Sequence, residues 1–145
     1  MAIEGEYAPS RQEWVRNHVS TITDAGTTDA ANIRGMPVVL MTMRGAVSGK
    51  VRKVPVMRVE HDGVYAVVAS QGGAPTHPSW YFNLKADPAI TLQDGREVHT
   101  YLAREPDGAE REQWWERAVA AFPDYAEYQK RTTRRIPLLV LERTD

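Results

Sequence analysis

Apolar positions along this chain follow two periods, one helical and one extended, and the switches between them give an order of elements. After Ser10, the residues Trp14/Val15, His18/Val19 and Ile22 recur at intervals of three and four, the spacing of a helix with one buried face. Ser10 and Glu13 stand at capping-box spacing for its start, and Gly26 ends the pattern. Residues 26–36 form a connector of small residues. A strand-rich block follows. Pro37–Arg44 predicts a buried strand with β-branched residues. Val51–His61 and Val64–Ser70 flank Asp62-Gly63, and Ala89–Gln93 and Arg96–Ala103 flank Asp94-Gly95. Both dipeptides favour two-residue hairpin turns with positive φ at the two central positions. Pro78–Ala86, ended by Asp87-Pro88, predicts a short helix with proline in its first turn. Asp107 and Glu110 have capping-box spacing for a helix carrying Trp114/Trp115, Ala118/Val119 and Phe122. Pro123 restarts a last short helix with Tyr125 and Tyr128, and Ile136–Arg143 predicts a final strand.

These elements predict a mainly β fold of the α+β class, with about six hairpin-connected, antiparallel strands. Closing them into a small barrel with helices packed outside removes exposed edges. At 145 residues the expectation is one domain over 1–145, with 1–33 as N-terminal helix and connector. A net charge of -1 gives no global field to recruit nucleic acid or an anionic membrane. The longest apolar runs, Pro37–Met41 and Ile136–Leu141, are strand-length, so no integral membrane segment is expected. The first ten residues lack a signal-peptide pattern, and a cytoplasmic location is expected. Absence of cysteine removes thiolate chemistry, and His18, His61, His77 and His99 lack metal-ligand spacing, so no metal is expected.

Charge is locally uneven. Five basic residues and no acid lie between Arg44 and Arg58, a patch suited to a small polyanion. Within it, Gly45–Val51 superficially looks like a phosphate loop, but the glycines are too close and Val51 replaces the metal-binding hydroxyl, which rejects nucleotide hydrolysis. Two alternatives stay open: an anion-holding turn served by Lys50 and Arg52, with Lys53 on the other side of the strand, or a solvated turn with edge lysines. Ser70-Gln71-Gly72-Gly73 follows an apolar strand, where glycines permit close approach of a ligand or serve a flexible connector. The cluster Ser79–Asn83 could wall a planar ring; Tyr81 and Phe82 are expected to pack, leaving Trp80 as the side chain of interest. Tyr125 and Tyr128 share a helix face.

Taken in order, Gly45-x-x-Ser48-Gly49-x-x-Arg52-x-x-Pro55, Val67-Val68-Ala69-Ser70-x-Gly72-Gly73, Pro78-x-Trp80-Tyr81-x-Asn83 and Phe122-Pro123-x-Tyr125-x-x-Tyr128 before Arg134-x-Ile136-Pro137 resemble the deazaflavin (F420)-dependent nitroreductases of actinobacteria. The resemblance covers about residues 34–142. It implies a split β-barrel like those that bind FMN, coenzyme F420 with its phosphate and oligoglutamate tail, and hydride transfer to small electron-poor acceptors. It implies that Val47, Ser48, Gly49, Lys50, Arg52, Lys53 and Pro55 hold the phosphate and tail. Val68, Ala69, Ser70, Gln71 and Gly72 would lie along the ring, closed by Ser79, Trp80 and Asn83. Met57, Phe122, Tyr125 and Tyr128 would line the acceptor pocket, with Ser70, Tyr125 and Tyr128 as catalytic candidates.

Two positions depart from the family pattern. Val47 stands where a lysine is frequent, a charge that Lys50 or Lys53 could replace. Phe122 stands where a nitroimidazole-reducing member has tyrosine, which favours enones and quinones over bicyclic nitroimidazoles. Two other functions stay open: a non-catalytic F420 carrier, and an FMN- or haem-binding barrel. Monomer or homodimer, and a peripheral membrane contact by the first helix, are left open.

Overall fold

The computed structural model describes residues 3–145. Among them the chain forms α1 (Glu13–Ala25), β1 (Asn32–Ile33), β2 (Met36–Arg44), β3 (Val51–Met57), β4 (Val59–His61), β5 (Val64–Val68), α2 (Ser79–Ala86), β6 (Ala89–Asp94), β7 (Glu97–Arg104), α3 (Gly108–Ala121), α4 (Asp124–Lys130) and β8 (Leu138–Arg143). No helix among the described residues is long and apolar enough to cross a membrane.

The strands pair antiparallel in the order β1-β2-β6-β7-β8-β5-β4, with β3 also on β2. Because β3 and β4 are successive parts of one segment, the sheet curls back on itself. Residues 51–57 bond to β2, and residues 59–61 bond to β5. This is a split barrel whose ring is completed by chain continuity at Arg58. That corner is tied down: the Arg58 amide donates to the Pro37 carbonyl (3.1 Å), and Arg58 Nε donates to both Asp94 carboxylate oxygens (3.0 and 2.9 Å). The Tyr65 hydroxyl donates to the same carboxylate.

Strand alternation sorts the apolar residues into three cores. Val39, Met41, Val56, Val67, Ile90, Leu92, Leu139 and Leu141 fill the barrel with Trp80 and Leu84 of α2. On the outer face, Ala66, Val68, Leu138 and Val140 pack against Trp114, Ala118, Phe122 and Tyr125 of the α3–α4 region. Val38 and Leu40 meet Val15, Val19 and Ile22 of α1. Strands β2, β5 and β8 are therefore covered on both faces, which is why their sequences read as continuous apolar runs.

Eight strands are present instead of about six, for two local reasons. The stretch predicted as one strand, 51–61, is bent at Arg58 into β3 and β4. Residues 32–33, expected in the connector, pair with β2 through a turn at Arg34-Gly35, both with positive φ (52° and 80°). The Asp62-Gly63 turn forms as expected, with φ of 53° and 81°. The second hairpin differs by one residue: Asp94 pairs with Glu97, so Gly95-Arg96 is the loop and only Gly95 has positive φ. Asp94 stays in the strand because its carboxylate holds Arg58 and Tyr65. Neither capping box forms. Ser10 Oγ accepts from the Gln12 amide and α1 starts after Gln12. The Glu110 carboxylate accepts from Arg104 instead of reaching back to the helix start, and the Asp107 side chain makes no cap bond.

Candidate functional site

The β2–β3 turn runs from Gly45 to Lys50 and is closed by backbone bonds from the Gly45 amide to Lys50 and from the Gly49 amide to Gly45. Ser48 Oγ accepts from the Lys50 amide, and Asn83 Oδ1 of α2 accepts from the Ala46 amide (2.9 Å). The amides of Val47 and Ser48, at the tip, donate to no protein acceptor among the described residues. Register places Arg52 opposite Met43, on the side of β3 that carries Val54 and Val56. Its stem passes Gly45 closely: a Cβ there would meet Arg52 Cγ at 3.5 Å. Lys53, opposite Thr42, projects to the other side and lies over the Tyr7 ring (5.5 Å). Lys50 pairs with the exposed Glu6 (3.4 Å), and the Val47 side chain is fully exposed. Arg52 is in no salt bridge among the described residues, and its stem lies against the turn at Gly45. Pro55 is buried farther along the strand.

At the end of β5 the chain leaves the sheet in a short 3-10 turn, Gln71–Gly73. Ser70 is right-handed helical (φ -76°, ψ -40°), and Gln71 and Gly72 are left-handed (φ 45° and 65°). This succession turns neighbouring N–H groups toward one side, a concavity suited to electron-rich atoms. The amides of Ser70, Gln71 and Gly72 have no protein acceptor among the described residues. A left-handed glutamine costs on the order of 1 kcal/mol, which its surroundings must hold. Arg134 provides that hold. Its Nε donates to the Ala74 carbonyl (2.8 Å), and its terminal nitrogens donate to the carbonyls of Ala69 (3.1 Å) and Ser70 (2.7 Å) and to His77 Nδ1 (2.8 Å). Burial, then the Arg134 charge, keeps His77 below the usual histidine range, so its Nδ1 can accept.

The two glycines have different reasons. A Cβ on Gly72 would meet nothing, whereas one on Gly73 would stand 2.7 Å from the Tyr128 carbonyl oxygen and 3.0 Å from Arg131 Cβ. Gly73 is the point where the turn meets α4. Phe122, Tyr125 and Tyr128 form an aromatic trio beyond it, with ring centroids 5.1, 6.0 and 6.3 Å apart, and Met57 belongs to the same core. Burial, then the neighbouring Tyr128, pushes the Tyr125 phenol well above the usual tyrosine range.

Met57, Phe122, Tyr125 and Tyr128, expected around the acceptor, lie in one core cluster in which Met57, Phe122 and Tyr125 are buried and Tyr128 is half-buried, and α4 meets the turn that carries Ser70 and Gly72 at Gly73. Asn83 links α2 to the Gly45–Lys50 turn, and Ser79 is exposed at the start of α2. Within the aromatic cluster Trp80 is 9% exposed inside the barrel core and Tyr81 packs against that core as expected, whereas Phe82, expected to pack, is 53% exposed. In the sequence Arg134 stands out only as part of the Arg134-x-Ile136-Pro137 motif. A basic residue just before a Pro-initiated strand was its one signal, and its partners lie some sixty positions away in sequence.

Comparison with known proteins follows the same outline. A family profile described as F420H(2)-dependent quinone reductase matches residues 14–143. The F420H(2)-dependent quinone reductase of Mycobacterium tuberculosis is 32% identical over 110 residues, 74% of each chain. A solved structure of an F420-H2 dependent reductase is 55% identical, covers 77% of this chain and 99% of that one, and superposes with a TM-score of 0.70. A chain described as a domain-swapped dimer is 53% identical, covers 92% of this chain and 100% of that one, with a TM-score of 0.73. The barrel itself extends further: a haem-binding protein of Mycobacterium smegmatis, 16% identical over 83% of this chain and 50% of that one, shares the fold with a TM-score of 0.61.

Proposed function

The chain belongs to the F420H(2)-dependent quinone reductase family, and from that premise we propose how its own residues serve the reduction of electron-poor acceptors. It is an F420-dependent reductase with quinone-type acceptors. Enones, and nitro compounds less readily, are our extension of that range. Bound coenzyme supplies hydride; the protein supplies placement, proton delivery and exclusion of water. We assign the phosphate to the free amides of Val47 and Ser48 with Arg52 as the main charge and Lys50 as a second. We assign the ring to the Val68–Gly72 stretch, where the free amides of Ser70, Gln71 and Gly72 can donate to its polar edge. Ser79 and Asn83 close the α2 side.

The observation that supports this reading is the close approach at Gly73, where the turn carrying the free amides meets Tyr128 and Arg131 at the end of α4, the helix that also carries Tyr125. Hydride delivery to a quinone or enone leaves an oxyanion that needs a proton, and we assign its delivery to Tyr125, Tyr128 or Ser70. Because burial holds the Tyr125 phenol protonated well above neutrality, turnover should show no loss from its ionisation between about pH 7 and about pH 10. Tyr125→Phe should lower turnover severalfold with coenzyme affinity nearly intact. Wild-type rates in both Tyr125→Phe and Tyr128→Phe would reduce these residues to pocket walls. Phe122 offers no hydroxyl, so quinone and enone reduction should exceed nitroimidazole reduction.

A cytoplasmic, single-domain homodimer is the form we expect, the dimer on the example of the 53% identical relative. A titration with F420, FMN and haem, followed by absorbance and fluorescence, tests the coenzyme assignment directly. Tighter binding of FMN or haem would overturn it. Turnover of a simple quinone with reduced F420 separates an enzyme from a carrier.

A further inference from the structure

A cavity of about 180 Å³ opens on the far side of α2, between that helix, the β7–α3 connection and the residues leading into β8. Its polar lining is His77, Tyr81, Glu105, Arg111 and Arg135. The donors in this group are under-used. Arg111 spends one terminal nitrogen on the Ile136 carbonyl (2.9 Å) and lies over the Trp115 ring, but it has no carboxylate within 4 Å among the described residues. Arg135 is exposed and has no salt bridge there either. His77 has given its Nδ1 to Arg134, leaving only an Nε2–H to offer. The acceptor, Glu105, is already engaged by the Tyr81 hydroxyl and by Lys85 Nζ (3.0 Å). Burial and the facing charge of Arg135 both disfavour the Arg111 cation, with Glu105 only partly opposing them. Two guanidiniums thus line one cavity with most of their donors free, an arrangement that planar bidentate recognition of an oxyanion would complete.

We propose that this cavity is a second anion site, holding a compact oxyanion, phosphate or carboxylate, between Arg111 and Arg135. It is separate from the coenzyme turn. Asn83 faces that turn through Ala46 while Tyr81 lines the cavity, and residues two apart on a helix point to different sides. The cavity has room for several heavy atoms, well beyond one water molecule.

Calorimetric titration with inorganic phosphate and, separately, succinate tests it. The titrations are run on F420-saturated protein, whose phosphate turn is filled, and on Arg52→Ala protein without coenzyme, so that failure of the coenzyme assignment leaves the second arm readable. One anion should bind with saturation in both, and the tighter of the two identifies phosphate or carboxylate chemistry. Arg135→Gln, an exposed change that leaves the fold intact, should weaken that binding about tenfold or more while leaving F420 affinity within about twofold. Arg111→Lys, which keeps the charge and loses the fork, should weaken it as well. The proposal is overturned if neither anion saturates by about 50 mM, if Arg135→Gln binds unchanged, or if added F420 displaces the anion.

Discussion

At the Gly45–Lys50 turn, Val47 is wholly in solvent and Lys50 reaches only the exposed carboxylate of Glu6. At the Ser70–Ala74 turn, three carbonyls are gripped by one guanidinium, and Gly73 lies directly against α4. Both regions present free amides to one side, yet they are held by opposite means. The first is a polar loop whose charges can be redistributed without disturbing a core, which is how valine can occupy a position where lysine is frequent. The second is fixed by packing and by a half-buried fork of hydrogen bonds, so a change there alters the barrel and the helix together. Affinity for a charged tail can be adjusted in the first region; the shape of the ring and acceptor site is set by the second.

Within the Ser70–Ala74 turn the grip of α4 is felt at Gly73 and not at Gly72. Gly73→Ala places a methyl group inside the contact distance of the Tyr128 carbonyl at a φ of 81°. A loss of roughly 3 kcal/mol or more in urea unfolding is expected. Gly72→Ala, in open space at a φ of 65°, should cost only about 1 kcal/mol. Equal losses would mean that the contact with α4 yields easily. Arg134→Ala leaves the Ala69, Ser70 and Ala74 carbonyls without their charged donor, and should weaken F420 binding about tenfold or more while lowering stability by roughly 2 kcal/mol. Arg134→Lys should not restore either quantity, since one ammonium cannot span these acceptors.

Effects at the polar turn should be confined to binding. Arg52→Ala is expected to weaken F420 about tenfold with little change in melting temperature. A fall in stability matching that of Gly73→Ala would break the contrast. Val47→Lys should have the smallest effect, a severalfold gain in affinity with a steeper salt dependence, because an added exposed charge is readily screened. An unchanged affinity would mean that Lys50 already supplies that charge.

Much of this was legible in the sequence because alternation and turn chemistry are local. The apolar runs at β2, β5 and β8, the Asp62-Gly63 turn and the aromatic spacing of Phe122, Tyr125 and Tyr128 all have their cause within a few residues. What escaped depends on partners outside the element itself or on a turn without its usual residues. Asp94 is drawn into its strand by Arg58 and Tyr65, shifting the hairpin by one residue. Glu110 leaves its capping position for Arg104. The Arg34-Gly35 turn has arginine where asparagine or aspartate marks such turns, so the sequence pattern does not announce β1. At the site, the basic turn was visible as composition and the Ser70–Gly73 stretch as adjacent glycines. The division of labour between Gly72 and Gly73, and the grip of Arg134, exist only once α4 and the start of β8 have been brought to the end of β5.

The corner at Arg58 also bears on how the chain reaches this state. β2 meets β6 and β5 meets β8 across long stretches of sequence, with Thr42 opposite Thr91 and Val67 opposite Leu139. Topologies dominated by such distant pairings fold in milliseconds to seconds, slower than helical bundles. Here the last gap is spanned by a single residue, so β3 and β4 can each find their partner strand while the bend between them is still unset. A chain caught at that stage offers open strand edges to its surroundings, and a second copy of the same sequence carries the matching edges.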